Sequence, residues 1–276
     1  MAAENFIPKI WTARLLAHLD KTLVFRNLTN SDYEGEIQNE GDTVKINQIN
    51  DISVSDYKRG TALTYEEVGS TQKELKIDQS KLWKFSVNDI DAVQANTDLV
   101  ESAMERAAYA LGAEVDTDIA AVMAAGAKNT ISKIALTVDN AYDKLVDMSV
   151  ALDEENVQAD GRWVVLPPWV YGLLQKDTRF VASGAEAADG RLGSGYIGTA
   201  AGFNVYKSNN LGSDTEAATT DIIAGVNMAT TFASQLVKTE TLRDKDDFDD
   251  YVRGLMVYGR LVVQPSGLVV LKAAKG

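Results

Sequence analysis

The sequence predicts a mixed α+β protein, and three observations support this fold class. Residues 97–125 carry the apolar periodicity of one long helix. Residues 42–88 and 235–272 instead alternate between apolar and polar side chains, as strands do. Between these regions, residues 137–229 combine short helical patterns with short apolar strands. A chain of 276 residues, 45% of them hydrophobic, can bury a sizeable core, so we expect one large or two small folded domains.

An amphipathic helix is predicted near the N-terminus, over residues 7–23. Its apolar residues recur every four positions, at Ile7, Trp11, Leu15, Leu19 and Leu23. Such a helix packs either on its own domain or, as an arm, on a neighbouring subunit. The pattern alone leaves both arrangements open.

A long two-stranded excursion is predicted after this helix. Val44 and Ile46, and later Trp83 and Phe85, alternate with polar residues and predict strands. Between them, residues 55–72 are mostly polar and hold too little apolar surface for a core of their own. Because an isolated hairpin is at best marginally stable in water, we expect another copy of the chain to hold this one.

The helix over residues 97–125 is the strongest predicted element. Asp98 and Glu101 have the spacing of a capping box, and Gly126 supplies a stop. At 1.5 Å per residue the helix would be a rod of about 43 Å, which indicates a scaffold element. Its apolar stripe consists of Val100, Met104, Ala108, Leu111, Val115, Ile119 and Val122.

The rest of the chain is predicted as shorter elements. A helix over residues 139–153, with Asp139 as its N-cap, precedes a buried strand over residues 162–166 that Pro167 ends. Residues 182–202 are rich in glycine and alanine and predict a long loop. The remaining predictions are a short helix at 169–175 and strands at 203–207, 221–226, 235–242, 251–263 and 268–272.

Composition removes several classes of site. The chain has no cysteine and one histidine, His18, which excludes disulfides, thiolate nucleophiles and cysteine zinc sites. A net charge of −13, with the 27 basic residues scattered, argues against sequence-specific nucleic-acid binding. The N-terminus does not resemble a signal peptide, and no apolar run approaches about 18 residues, so we expect a soluble protein, intracellular when made, without membrane contact.

Two motifs that could carry chemistry are weak. Residues 193–198 spell G-x-G-x-x-G, but that nucleotide fingerprint needs a strand before it and a helix after it, whereas a polar loop and a strand are predicted here. The acidic residues 244–250 lack the calcium-loop pattern and are interpreted as a solvated turn or a charge contact between subunits. We predict no catalytic residue, cofactor site or metal site.

Several segments, in order along the chain, resemble tailed-bacteriophage major capsid proteins. Each segment is moderately specific alone, but together they span nearly the whole chain. They are residues 6–11 (FIPKIW), 32–37 (DYEGEI), 41–46 (GDTVKI), 104–111 (MERAAYAL), 164–168 (VVLPP) and 202–211 (GFNVYKSNNL).

This resemblance implies the tailed-phage major capsid fold, which has an N-terminal arm, an extended two-stranded loop, a peripheral domain with a long spine helix, and an axial domain. The elements predicted from the residues divide in the same way. We expect the arm at 1–41, the extended loop at 42–90, the spine helix and peripheral domain at 91–136, the axial domain at 137–229 and peripheral domain strands at 230–276.

The function that the resemblance implies is self-assembly rather than catalysis. Copies of the chain would form the hexamers and pentamers of an icosahedral shell around double-stranded phage DNA, which they would touch by non-specific proximity only. A scaffolding protein and a portal are the expected partners. The protein would be made in the host bacterial cytoplasm and would end in the virion capsid.

Two alternatives stay open from the sequence. One is another self-assembling phage structural protein, such as a tail-tube subunit, and the other is a soluble carboxylate-based enzyme, which should elute as a defined small oligomer. If the chain is a capsid protein, its arm, its extended loop and its acidic segment supply the candidates for contacts between subunits. These candidates are Ile7, Trp11, Leu15, Leu19, Tyr57, Lys58, Arg59, Tyr65, Asp246 and Asp247.

Overall fold

The computed structural model has the α+β architecture that the sequence predicts. The helix predicted over residues 7–23, apart from Leu23, and the predicted capping residue Asp98 lie outside the residues that it describes. The described residues are 23–32, 43–49, 69–88, 99–177, 196–214, 218–243 and 249–276, with the single residues 52, 56 and 216.

The long helix, α1, runs from Leu99 to Gly126 and confirms the strongest prediction. Its 28 residues make a rod of about 42 Å. Gly126 ends the helix where a Cβ atom would lie 2.7 Å from the Val262 side chain, which explains why a glycine stands there. The buried face carries Met104, Ala108, Leu111, Val115, Asp116, Ile119, Ala120 and Met123.

A three-stranded antiparallel sheet lies against α1. Its order is β10, β11, β3, with β3 spanning Gln79–Asn88, β10 spanning Thr230–Arg243 and β11 spanning Asp249–Val262. Its inner face contributes side chains to the same core as α1, among them Trp83, Val252 and Tyr258. The strands predicted near residues 83–87, 235–242 and 251–263 are therefore confirmed.

A separate pair of antiparallel strands precedes β3 in the chain. Strand β1 spans Thr43–Ile49 and β2 spans Ser70–Lys76, with Thr43 opposite Lys76 and Ile49 opposite Ser70. The chain from residue 50 to residue 69 connects these strands, and residues 52, 56 and 69 are the ones described within it. The two strands thus form the base of the predicted two-stranded excursion.

The middle of the chain forms a seven-stranded mixed sheet, ordered β4, β12, β9, β5, β7, β6, with β8 paired to β9. The last strand of the chain, β12, lies here between β4 and β9 and not beside β10 and β11. The domain boundaries given above, at residues 41, 90, 136 and 229, stay a prediction. The strands are β4 Asn129–Leu136, β5 Trp163–Leu166, β6 Tyr196–Ala200, β7 Phe203–Lys207, β8 Ser213–Asp214, β9 Thr219–Gly225 and β12 Leu268–Lys275.

Both faces of the seven-stranded sheet are covered. Trp163 and Val165 of β5 enter the core of α1, whereas Val164 and Leu166 enter a second core beneath two short helices. These helices are α2, Ala141–Glu154, and α3, Pro168–Leu174. Burial on both faces explains the uninterrupted apolar run from which the sequence predicts β5.

Two sequence predictions are wrong in this region, and one strand is missed. The N-cap of α2 is Asn140 and not Asp139. The Asn140 side-chain oxygen accepts a hydrogen bond from the Thr137 amide at 2.8 Å, and its amide group donates to the Ala135 carbonyl at 3.0 Å. The segment predicted as a loop over 182–202 includes strand β6, which pairs antiparallel with β7. Strand β4 was not predicted, because two of its residues stand opposite Lys272 alone, and this bulge breaks the alternation of apolar residues.

Candidate inter-subunit surface

All ten residues predicted to contact other subunits lie outside the described residues, and they stay predictions. The structure shows where the segments that carry them join the fold. The arm joins at residues 23–30, the extended loop at β1 and β2, and the acidic segment between β10 and β11. The ten residues are Ile7, Trp11, Leu15, Leu19, Tyr57, Lys58, Arg59, Tyr65, Asp246 and Asp247.

The end of the arm is fixed firmly to the fold. We call residues 23–30 the arm root. Its apolar side chains Leu23, Phe25 and Leu28 are buried in the core of α1. The Asn30 amide donates to the Thr230 carbonyl, and the Phe232 amide donates to the Asn30 carbonyl, both at 2.9 Å. The arm root is thus part of the folded subunit, which favours packing on its own domain for this portion of the chain.

The base of the extended loop packs on the outer face of the three-stranded sheet, the face turned away from α1. Val44 and Ile46 of β1 and Leu75 of β2 share a small core with Ala233 of β10 and Val257 of β11. The backbone of β2 comes so close to β11 that a Cβ atom on Gly259 would lie 2.4 Å from the Lys76 carbonyl oxygen. The base of the loop therefore has one fixed position on this face.

Strands β1 and β2, the base of the extended loop, leave the other end of the outer face of the three-stranded sheet uncovered. A groove of about 520 Å³ lies there, and Leu242 and Tyr251 are among the residues that line it. Leu242 is 44% exposed and Tyr251 is 40% exposed, which is high for large apolar side chains on a sheet. We call this surface the outer groove; it is lined by Lys84, Phe85, Ser86, Leu242, Tyr251, Val252 and Arg253.

Cross-strand ion pairs border the outer groove. Arg253 stands directly opposite Glu240 and pairs with it at 2.6 Å. Three positions further towards the end of the sheet, Arg243 pairs with Asp250 at 3.1 Å, next to the groove residues Leu242 and Tyr251. Exposed pairs of this kind contribute only about 0–1 kcal/mol to stability. These ion pairs place charges of both signs at the border of the outer groove, around its apolar residues. Protein interfaces commonly have this composition, with an apolar centre and a polar rim.

A second groove lies on the other side of β3, between this edge strand and α1. It encloses about 610 Å³, and its floor is largely apolar, with Leu82, Trp83 and Ala107 among its residues. Leu82 is 61% exposed. Edge strand β3 thus has an open apolar groove on each side, and both grooves are candidates for burial by other copies of the chain.

A charged cluster ties the sheet to α1 and to the turn that follows β2. Arg260 of β11 pairs with Asp118 of α1 at 2.6 Å and with Asp78 of the turn at 2.8 Å. The Tyr258 hydroxyl donates to Asp118 at 3.0 Å. Burial, and then the nearby Asp118 charge, raise the pKa of Tyr258 above its usual range. Each member has a partner within the cluster, which is consistent with a structural role.

The weak motifs gain no support from their surroundings. The G-x-G-x-x-G sequence leads into strand β6 and not into a helix, so the helix N-terminus that binds pyrophosphate is missing at this place. Within the described part of the chain, no three acidic or histidine side chains are grouped so that they could hold a metal ion. No described helix combines the length and the apolar character needed to cross a membrane.

Comparison with known proteins decides the family. A profile of the family described as phage capsid protein matches residues 50–271. A solved structure from Mycobacterium phage Che8 is 31% identical with a TM-score of 0.74, and the match covers 90% of each chain. The chain belongs to the phage capsid protein family.

Two further solved structures share the fold of this capsid protein. The capsid of cyanophage P-SCSP1u is 18% identical with a TM-score of 0.67, over 90% of this chain and 86% of that one. The mature capsid of bacteriophage PhiM1 is 15% identical with a TM-score of 0.62, over 88% and 87%. Comparison with curated proteins finds no match.

Family membership confirms the central part of the function that the resemblance implies, a capsid protein that forms the shell. The chain is a structural protein, the major capsid protein of a phage, and it associates with other copies of itself to form the shell of the virion. The grooves on the two sides of β3 are two surfaces in the described part of the subunit that such association could bury.

Proposed function

We propose that this capsid protein builds an icosahedral shell of hexamers and pentamers that encloses double-stranded phage DNA. The observation that carries the proposal is the outer groove, an apolar surface that the described residues leave uncovered, beside the base of the extended loop. In an isolated subunit such a surface is exposed to water, whereas a closed shell would bury it in every copy.

The extended loop of a neighbouring subunit is the occupant that we propose for the outer groove. The twenty residues 50–69 join Ile49 of β1 to Ser70 of β2, and ten residues out and ten back can reach at most about 33 Å beyond these strands. The subunit's own hairpin base already covers the adjoining part of the same face. A neighbour's loop would complete this cover, and each subunit would pass its loop to the next around the capsomer.

The charge of the chain suits a container for DNA. The net charge of −13 means that the subunit as a whole repels a polyanion, so the shell can surround the genome without clamping it. We propose in addition that a scaffolding protein sets the curvature, that a portal occupies one vertex, and that the protein is made in the cytoplasm of the bacterial host.

Substitution of Leu242 tests the proposed contact between the outer groove and the extended loop of a neighbour. Leu242→Asp places a charge in the outer groove at a side chain that is 44% exposed, so the folded subunit should tolerate it. Burying that charge against a neighbour is costly, and we expect the assembled fraction to fall at least tenfold at a fixed protein concentration. Leu242→Met is the matched control, because it keeps the volume and the apolar character.

Three measurements read the outcome. Circular dichroism checks the fold, sedimentation measures the assembled fraction, and electron microscopy shows the particles. Normal shells from a folded Leu242→Asp protein would remove the outer groove from the proposed contact. Shells lost in both variants, with the fold intact, would equally contradict the explanation by charge burial.

A further inference from the structure

A buried carboxylate holds the arm root against α1. Asp116 is fully buried on α1 and accepts hydrogen bonds from the Val24 amide at 2.8 Å and the Phe25 amide at 3.2 Å. The Arg26 amide and the Asn210 side chain also hydrogen-bond to this carboxylate. Four donors from two distant parts of the chain thus meet at one side chain of the long helix.

The geometry explains why an acid stands on an otherwise apolar helix face. Residues 26–28 form a single 3-10 turn, and the amides at the start of a helical turn have no partner within that turn. Phe25, the N-cap residue, makes no side-chain capping bond. Asp116 replaces such a cap from 91 positions further along the chain. Without it, the amides of the arm root would be buried without an acceptor, which is unfavourable for each group.

Asp116 acts at the point where the arm enters the subunit. Leu23 is the first described residue, and residues 1–22 precede it. Beyond the turn, the two hydrogen bonds between Asn30 and β10 hold the other end of the arm root. With both ends held, the hydrogen bonds of Asp116 and Asn30 fix the position of the arm root on the subunit.

Burial changes the acidity of this carboxyl group. Loss of water raises the pKa of Asp116 to about 6, although its hydrogen bonds act in the opposite direction. Residues 208–212, which include Asn210, contain no charged residue. In the arm root, the Arg26 guanidinium lies over the Phe232 ring, 5.8 Å from its centre. On α1, the neighbouring acids Glu114 and Asp118 are paired with Lys81 and Arg260.

The sign of the pH effect follows from linkage. When the arm root detaches, water reaches Asp116 and its pKa returns towards 3.8. The attached state therefore binds a proton more readily than the detached state between about pH 4 and pH 6, and acid favours attachment. This stabilisation is complete below the lower pKa value and is lost as the pH rises through the higher one.

We propose that Asp116 positions the N-terminal arm, and that the equilibrium between the attached and the detached arm root shifts towards the attached state as the solution becomes more acidic. This equilibrium is a property of the single subunit and can be measured without assembly. Any effect of this attachment on the shell rests on the proposed function, because the arm would have to contact a neighbour. A subunit that does not assemble and an arm root that does not respond to pH are therefore distinguishable results.

Hydrogen exchange of the full chain tests the proposal. The probe is the set of amides at residues 24–26, followed by mass spectrometry at pH 7 and pH 5 after correction for the intrinsic exchange rate. Local opening of the arm root should become about tenfold rarer at pH 5, as two pKa values of about 6 and 3.8 require. Wild-type protein with equal protection at both pH values would overturn the proposal.

Two variants separate positioning from a merely structural role. Asp116→Asn cannot ionise, so its protection at residues 24–26 should be independent of pH. Asp118→Asn is the matched control, since it removes a carboxylate of the same helix that pairs with Arg260, and it should keep the tenfold pH response. A pH response that survives in Asp116→Asn would overturn the proposal, as would its loss in a folded Asp118→Asn protein.

Discussion

The position of the extended loop should depend on a missing side chain at Gly259. In Gly259→Ala the new Cβ atom would lie 2.4 Å from the Lys76 carbonyl oxygen and 2.7 Å from the Ile77 Cδ1 atom. Ordinary contact begins near 3.4 Å, so the backbone of β2 would have to move by about 1 Å. Overpacking of this kind costs about 1–3 kcal/mol. Because the displaced backbone is the base of the loop, the loop should leave the sheet at a different angle.

Chemical denaturation and electron microscopy together measure this effect. We expect the free energy of unfolding to fall by about 1–3 kcal/mol while shells become rare or irregular. Gly172→Ala is the matched control, because no atom lies within 4 Å of its Cβ position in helix α3, and it should gain about 0.5–1 kcal/mol. Unchanged stability and normal shells from Gly259→Ala would refute the close packing between β2 and β11.

Three further changes probe other parts of the fold. Gly254→Ala would place a Cβ atom 2.4 Å from the Trp83 ring and should destabilise the subunit by about 1–3 kcal/mol in thermal unfolding; an unchanged melting temperature would contradict this packing. Arg260→Met should lower the free energy of unfolding by about 1.5–3 kcal/mol, because Asp118 loses a charged partner. A smaller loss in calorimetry would contradict this role of the ion pair. Deleting residues 56–66 should leave a folded subunit that forms no stable shells, and normal particles in sedimentation would exclude the extended loop from assembly.

Most of the secondary structure could be predicted because its signals are local. The stripe on α1 and the alternation in β3 repeat with the period of one element, so single-sequence patterns reveal them. Strand β5 is visible for the same reason, since burial on both faces leaves a continuous apolar run. These elements depend little on what the rest of the chain does.

The errors occur where a distant part of the chain decides the structure. Strand β4 contains a bulge against β12, a partner more than a hundred residues away, and the bulge breaks the alternation that would indicate a strand. Strand β6 is short and glycine-containing, and it pairs at the edge of the sheet with β7. Strand β12 joins the seven-stranded sheet through two partners that no local pattern identifies.

The candidate surface shows the same division. The resemblance to capsid proteins predicts that the arm and loop contact neighbours, but it does not identify the outer groove, which forms from β3, β10 and β11 together. Asp116 had one local signal, a carboxylate that falls between Val115 and Ala120 on the buried side of an alanine-rich helix. Its partners Val24 and Asn210 could not be predicted, because they reach it only through the tertiary fold.

A cryo-electron microscopy reconstruction of the particles formed by the full chain would show directly how neighbouring subunits meet. We predict a closed shell in which residues 50–69 of one subunit cover Leu242 and Tyr251 of its neighbour. A shell in which the outer groove remains open to solvent would contradict the proposed contact. A chain that stays a small defined oligomer, even when co-expressed with the scaffolding protein of its own phage, would contradict shell formation itself.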